Sequence, residues 1–251
     1  EIIKNLFGNC NVKKDKEYKA SAICNRITQS KLIITTAILE TLGNTALVKL
    51  GDWIQEKDVN WRQATNINVL DNLQDIFYAK YEGTTIQPDD FNISDFRHQK
   101  LNSSPFSPYF YNSVVHFCLE SYHYSYMVEN NKSFTLPGPD CSEKTWKTLL
   151  GKAAYIPTGQ FDILGHLTTL GFDFNYEGLD LSYDKDSGNL TRLVKQVKLV
   201  EQIADIDIND LRQSTEYSIE HNYDHIVSGK FNHICHKINT QSIDQIFKRF
   251  S

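Results

Sequence analysis

The segment Asp140-Cys141-Ser142-Glu143-Lys144-Thr145-Trp146-Lys147-Thr148-Leu149-Leu150-Gly151 gathers residue types that hold an anion. Glu143 and Lys144 fall in the first turn of an expected helix, with Asp140 and Ser142 placed before them as caps. A helix N-terminus carries partial positive charge and free N–H groups, which seat a phosphate. Lys144 adds a mobile cation, and Glu143 adds a carboxylate that can accept from a sugar hydroxyl. Phosphate and sugar held side by side is the chemistry a nucleotide-sugar requires. The pair also has a plain reading: acidic charge favours a helix start, and Lys144 is then a solvated cation.

The elements around this segment give it a place. Ser113-Val114-Val115-His116-Phe117-Cys118-Leu119 is a near-continuous apolar run, expected as a buried strand ending at Glu120-Ser121. A loop rich in Tyr, Asn and Pro then runs to Pro139. After the Glu-Lys helix come a strand over 153–157, the turn Thr158-Gly159 and a helix from Gln160 to Leu170 closed by Gly171. An extended segment over 172–175 follows. Earlier, Tyr18 to Cys24 reads as a strand, Asn25-Arg26-Ile27 as a turn, and Gln29 to Leu42 as a helix behind Thr28. Gly43-Asn44 ends that helix, and 45–50 forms the next strand. A loop over 51–66, a helix over 67–81 and an irregular insertion over 82–111 complete that half. Strands alternating with helices predict an α/β fold, a Rossmann-like doubly wound parallel sheet. Residues 1–17 read as an extension and 18–205 as the sheet domain. Residues 206–251 are extra C-terminal helices on the same domain.

Ligands in such sheets bind outside the carboxyl ends of the strands. Asn25 and Arg26 after the first strand, Glu120 after the strand 113–119, and Ser142, Glu143 and Lys144 at the helix start therefore form one candidate cluster. Thr158 and Gly159 add backbone N–H groups. Arg26 offers a fork for phosphate and Lys144 a point charge. Each has an ordinary alternative: Arg26 as a helix-end or surface-pair cation, Glu120 as a loop acid. His116, inside an apolar run, reads first as a hydrogen-bonded core residue. Tyr109, Tyr111, Tyr122, Tyr124 and Tyr126 stack on a base or sugar, or simply pack. His221 with His225 and His233 with His236 have helical spacing, but without a supporting Cys pair they read as exposed helix faces rather than a metal site.

Composition narrows the class. The 251 residues are 40% hydrophobic and 23% charged, as in a globular protein. A net charge of −5 gives no general attraction for nucleic acid. No apolar run approaches the ~20 residues of a membrane span. Five scattered cysteines with no C-x-x-C pair read as reduced thiols of a cytoplasmic protein. No Gly-Lys-Ser/Thr loop and no Gly-x-Gly-x-x-Gly is present, which argues against ATPase and dehydrogenase chemistry.

Leu119-Glu120-Ser121, Ser142-Glu143-Lys144-Thr145-Trp146-Lys147, Gly151 and Ile156-Pro157-Thr158-Gly159 together resemble the nucleotide-binding half of GT-B glycosyltransferases, most closely the fucosyltransferase-like type. The opening Cys24-Asn25-Arg26, the segment Leu164 to Phe174 and Leu181-Ser182-Tyr183-Asp184 are similar to poorly characterised bacterial and phage proteins that share this half. The resemblance covers about residues 18–50 and 112–205. It implies a metal-independent sugar transfer from a nucleotide-sugar, with no further cofactor. Arg26 and Lys144 would neutralise the diphosphate, and Glu143 and Glu120 would hold hydroxyls. The acceptor would be a glycan hydroxyl or a modified DNA base. The general base belongs to the other half in such enzymes; within this chain His116, Asp140 and Glu177 are the candidates. Only residues 1–17 precede the first strand and the chain opens at Glu1, so either the chain is a fragment lacking an N-terminal acceptor domain, or the acceptor side is reduced or supplied by residues 51–111. A non-catalytic Rossmann-like binding or assembly module is the competing expectation.

Overall fold

A computed structural model describes residues 16–54, 67–84, 108–120, 126–129, 132–135, 139 and 141–230. At Asn25, Arg26 and Glu143, and over 52–54, 126–129 and 132–135, the description is of the main chain.

β1 (Tyr18–Ile27) leads into α1 (Gln29–Leu42) and β2 (Ala46–Ile54). α2 (Asn68–Lys80) follows, then a single 3-10 turn over Pro108–Phe110 and β3 (Ser113–Leu119). A hairpin of β4 (Tyr126–Glu129) and β5 (Lys132–Thr135) precedes α3 (Glu143–Leu150) and β6 (Ala154–Thr158). α4 (Ile163–Thr169), a 3-10 turn over Ser182–Lys185, α5 (Asn189–Asp205) and α6 (Ile208–Val227) complete the described chain.

β1, β2, β3 and β6 form one sheet in the order β2-β1-β3-β6, parallel throughout. Alternate residues supply two cores. Ala20, Ala22, Cys24, Val115, Phe117, Leu119, Ala154 and Ile156 face a core shared with α1, α2 and α5. Ile23, Cys118 and Tyr155 face a second core with α3, α4 and the end of α6. Helices on both faces make this the α/β, Rossmann-like doubly wound parallel sheet that the alternation predicts. They also explain why all seven residues of β3 are buried: a central parallel strand has no solvent face. α1 is wedged between the sheet, α2 and α5, so apolar residues run almost all round it. No described helix is long and apolar enough to cross a membrane.

Several boundaries depart from expectation. Asn25-Arg26-Ile27 is not a turn but the end of β1, with a register shift between Cys24 and Arg26. β2 likewise continues past Leu50 to Ile54, so 51–54 is strand rather than loop. The two strands extend each other: backbone pairing tolerates polar side chains that a propensity reading takes as loop. The tract between Glu120 and Pro139, expected as loop, contains the antiparallel β4–β5 ribbon with Met127 opposite Phe134. A two-residue Asn130-Asn131 connection between β-forming residues is a hairpin signal that the abundance of turn residues hides. α4 begins at Ile163 rather than Gln160 because Asp162 takes a left-handed conformation, φ 63°. The 172–175 segment joins no strand; Asn222 of α6 instead holds Asp173 through both main-chain atoms, at 2.7 and 2.6 Å. The helix expected from 231 onward lies outside the described residues.

Candidate anion-binding site at the carboxyl end of the sheet

From β1 the chain winds outward to β2, then returns to the other side as β3 and β6. The crevice at this reversal, above the carboxyl ends of β1 and β3, is where open α/β sheets bind ligands. β1 ends at Asn25, Arg26 and Ile27, and β3 ends at Leu119 followed by Glu120. α1 starts on one face of the sheet and α3 on the other, so two helix N-termini flank the crevice.

Glu120 is the hub. It is 1% exposed, and both carboxylate oxygens are engaged inside the protein. Oε1 accepts from the Thr145 hydroxyl at 2.6 Å, the Cys118 thiol at 3.1 Å and the Tyr155 hydroxyl at 3.2 Å. Oε2 accepts from the Ser142 main-chain N–H at 3.3 Å. A hydroxyl-gripping role was expected; the geometry gives Glu120 a fixing role, tying the start of α3 to the end of β3. Burial raises the Tyr155 and Cys118 ionisations, and the Glu120 charge adds to both. Both groups stay protonated and donate.

Ser142 caps α3, its hydroxyl accepting from Lys144 N–H at 3.3 Å. The Lys144 ammonium then reaches over the end of β3 and donates to the Leu119 carbonyl at 3.2 Å. The sequence reading thus placed Ser142 and Lys144 correctly at a capped helix start. The main chain of Glu143 opens α3, but its side chain lies outside the description, as do those of Asn25 and Arg26. Asp140 lies outside the described residues.

A further cation was not anticipated. Lys31 stands in the first turn of α1, half-buried, and its ammonium lies within electrostatic range of Cys24, Lys144, Glu120 and Cys118. Burial lowers its pKa, and the neighbouring Lys144 charge lowers it further. The Cys24 thiol is itself pushed up to about 11, chiefly by burial. Sequence reading passed over Lys31 because it sits four residues past the turn assumed at 25–27. With β1 ending at Ile27, the first turn of α1 is part of the crevice.

Thr158 and Gly159 close the crevice on the β6 side. The Thr158 hydroxyl donates to the Cys118 carbonyl at 3.2 Å. A Cβ on Gly159 would lie 3.0 Å from Cβ of Glu120 and 2.7 Å from Cδ1 of Ile163, so only glycine lets this loop lie over the hub. The Gly159 carbonyl accepts from Nε of Arg192 at 3.3 Å. Arg192, fully buried at the start of α5, also donates to the Asp186 carbonyl at 2.8 Å and to Oδ1 of Asn189 at 2.9 Å. It was not foreseen either, since helical periodicity offers no reason to bury an arginine.

The catalytic candidates fare differently. His116 is 0% exposed, on the α3 side of the sheet. Its Nδ1 lies 2.8 Å from the Ser21 hydroxyl, which in turn donates to the Tyr109 carbonyl at 2.5 Å. Desolvation pushes its pKa down to about 3. His116 is a core residue and touches no crevice, so it cannot act as a base there. Glu177 is exposed, but its N–H bonds the Ser214 carbonyl, and the hydroxyl of its neighbour Tyr176 accepts from the Tyr155 N–H at 2.9 Å, near the start of β6. That is the amino end of the sheet, opposite the crevice. Tyr109 is buried as packing. His221 and His225 lie 2.9 and 2.8 Å from the carbonyls of Gly171 and Leu170, so each ring donates to the end of α4. His225 is buried rather than on an exposed face. Among the described residues no three His, Cys, Asp or Glu side chains gather as a metal-holding group.

Comparison with protein-family models, curated proteins and solved structures finds no match.

Proposed function

We propose that this chain binds a nucleotide-sugar at the carboxyl ends of β1 and β3 and transfers the sugar to a hydroxyl acceptor, a glycan or a modified DNA base. The observation that carries the reading is the convergence of Lys31 and Lys144 from opposite faces of the sheet over one buried carboxylate. Two ammonium groups against one carboxylate leave positive charge at the mouth of the crevice. A diphosphate is the ligand chemistry that such a pair neutralises, and the same contacts strengthen as charge builds on a leaving diphosphate. This is a metal-independent scheme, and Arg26, next to last in β1, is the further cation it calls on. Glu120 is then a positioning residue, holding Ser142 and Thr145 so that Lys144 stays over Leu119.

A non-catalytic nucleotide-binding module is the second reading. It is favoured by the placement of two of the three base candidates, His116 and Glu177, away from the crevice.

The test is a thermal-shift panel of UDP, GDP, CMP and their sugars. One family should stabilise strongly, by about 2.7 kcal/mol at 100-fold its Kd, which is several degrees in Tm. Donor hydrolysis or transfer with the stabilising sugar nucleotide separates the enzyme from the binding module. A flat panel with a folded protein overturns both.

A further inference from the structure

We propose that Phe161 is the stacking platform for the nucleobase of the bound ligand, which rests on the nucleotide reading above. The ring is 38% exposed, belongs to neither core, and stands just past the carboxyl end of β6. Its neighbours are held in place on both sides. Gly159 lies against Glu120 and is tied through its carbonyl to the buried Arg192. Gln160 is buried. Asp162 is fixed in its left-handed conformation, with its N–H on the Asp184 carbonyl at 2.7 Å and its carboxylate paired with Lys185. The loop therefore carries one exposed aromatic ring on a frame fixed on both sides, three residues past the carboxyl end of β6.

Phe161 is two positions along the chain from Gly159, at most about 7 Å, and Gly159 lies against Glu120. A ligand whose phosphates sit on Lys144 and Lys31 can lay its base toward this ring. Solitary exposed aromatics are common, and Tyr217, 77% exposed on α6, is one of them. It differs in place and setting: it stacks on His221, toward the amino end of the sheet, away from the crevice. Base stacking on a ring pre-positioned by its backbone adds affinity with little ordering cost and tolerates any base, so the proposal concerns nucleotides as a class.

The experiment titrates wild type, Phe161→Ala, Phe161→Trp and Tyr217→Ala by calorimetry. The probes are inorganic pyrophosphate and the nucleoside diphosphate that most stabilises the wild type. Phe161→Ala should weaken the nucleoside diphosphate about 10-fold while leaving pyrophosphate within about twofold. Phe161→Trp should restore nucleotide affinity, and Tyr217→Ala should change neither ligand. Unchanged nucleotide affinity in Phe161→Ala overturns the proposal while the phosphate site stands. Equal weakening of both ligands also overturns it, because that marks a loop disturbed rather than a base unstacked. A wild type that binds neither probe removes the nucleotide reading and this proposal with it.

Discussion

The two ends of the sheet hold their lysines differently. At the amino end, cations close the structure. Lys16, buried, donates to the carbonyls of Tyr111 at 2.6 Å and Gly151 at 3.2 Å. Lys19 donates to the Ala204 carbonyl at 2.7 Å, and His221 and His225 to the end of α4. α3, α4 and α5 all end here, so their C-terminal carbonyls meet positive or proton-donating side chains, as the helix dipole favours. At the carboxyl end the helices begin, and two lysines crowd each other instead. Lys144 has one carbonyl 3.2 Å away, and Lys31 has its pKa lowered by burial and by Lys144. The amino end spends its lysines on the fold; at the carboxyl end, Lys31 and Lys144 are the cations we propose for an incoming anion.

That contrast can be broken by substitution. The largest effect is expected at Glu120. Glu120→Ala removes the acceptor shared by four donors, three of them in buried bonds, and should lower unfolding free energy by about 3 kcal/mol or more in urea titrations. A loss below that range would mean the hub is not what ties α3 to β3. Lys16→Met should cost about 1.5–3 kcal/mol, since it uncovers two carbonyls at the amino end, and it should leave nucleotide affinity unchanged. Changed affinity in that variant would blur the division between the two ends.

The legibility of the two ends in the sequence differed for a physical reason. Strand and helix order followed from apolar periodicity, and β3 from its unbroken apolar run. Ser142 and Lys144 were legible because a cap and its helix are local features. Lys31 was not, because its relevance depends on β1 running on to Ile27 beside an extended β2, which is a tertiary fact. Glu120 was placed correctly at the end of β3 but given the wrong company: Thr145, Tyr155 and Cys118 are brought to it by the fold. Local spacing could not show that His116 faces Ser21 and Tyr109 across neighbouring elements, although an apolar run already suggested a core position.

A smaller effect concerns acid. His116 has a folded pKa near 3, below its unfolded value of about 6.5. The unfolded chain therefore takes up a proton that the folded chain refuses between those values. Stability should be unaffected by this group above about pH 6.5 and fall as pH drops toward 3, by at most about 1.4 kcal/mol per pH unit. Chemical denaturation at pH 7, 5.5 and 4.5 should show a flatter decline in His116→Gln than in the wild type. Identical declines would mean His116 is not buried in its neutral form. The smallest effect is at the cap: Ser142→Ala should cost about 1 kcal/mol at the start of α3. Native-state hydrogen exchange should show the loss concentrated at Lys144 and Thr145, and a uniform loss across the sheet would contradict a local cap.

The central claim is that the cations at the carboxyl end serve a phosphate-bearing ligand rather than the fold. Calorimetric titration of the stabilising nucleoside diphosphate into Lys31→Ala, Lys144→Ala and Lys16→Met tests it directly. The account predicts that each carboxyl-end variant stays folded and loses affinity on the order of 100-fold, while Lys16→Met binds as the wild type does. Wild-type affinity in both Lys31→Ala and Lys144→Ala would contradict it.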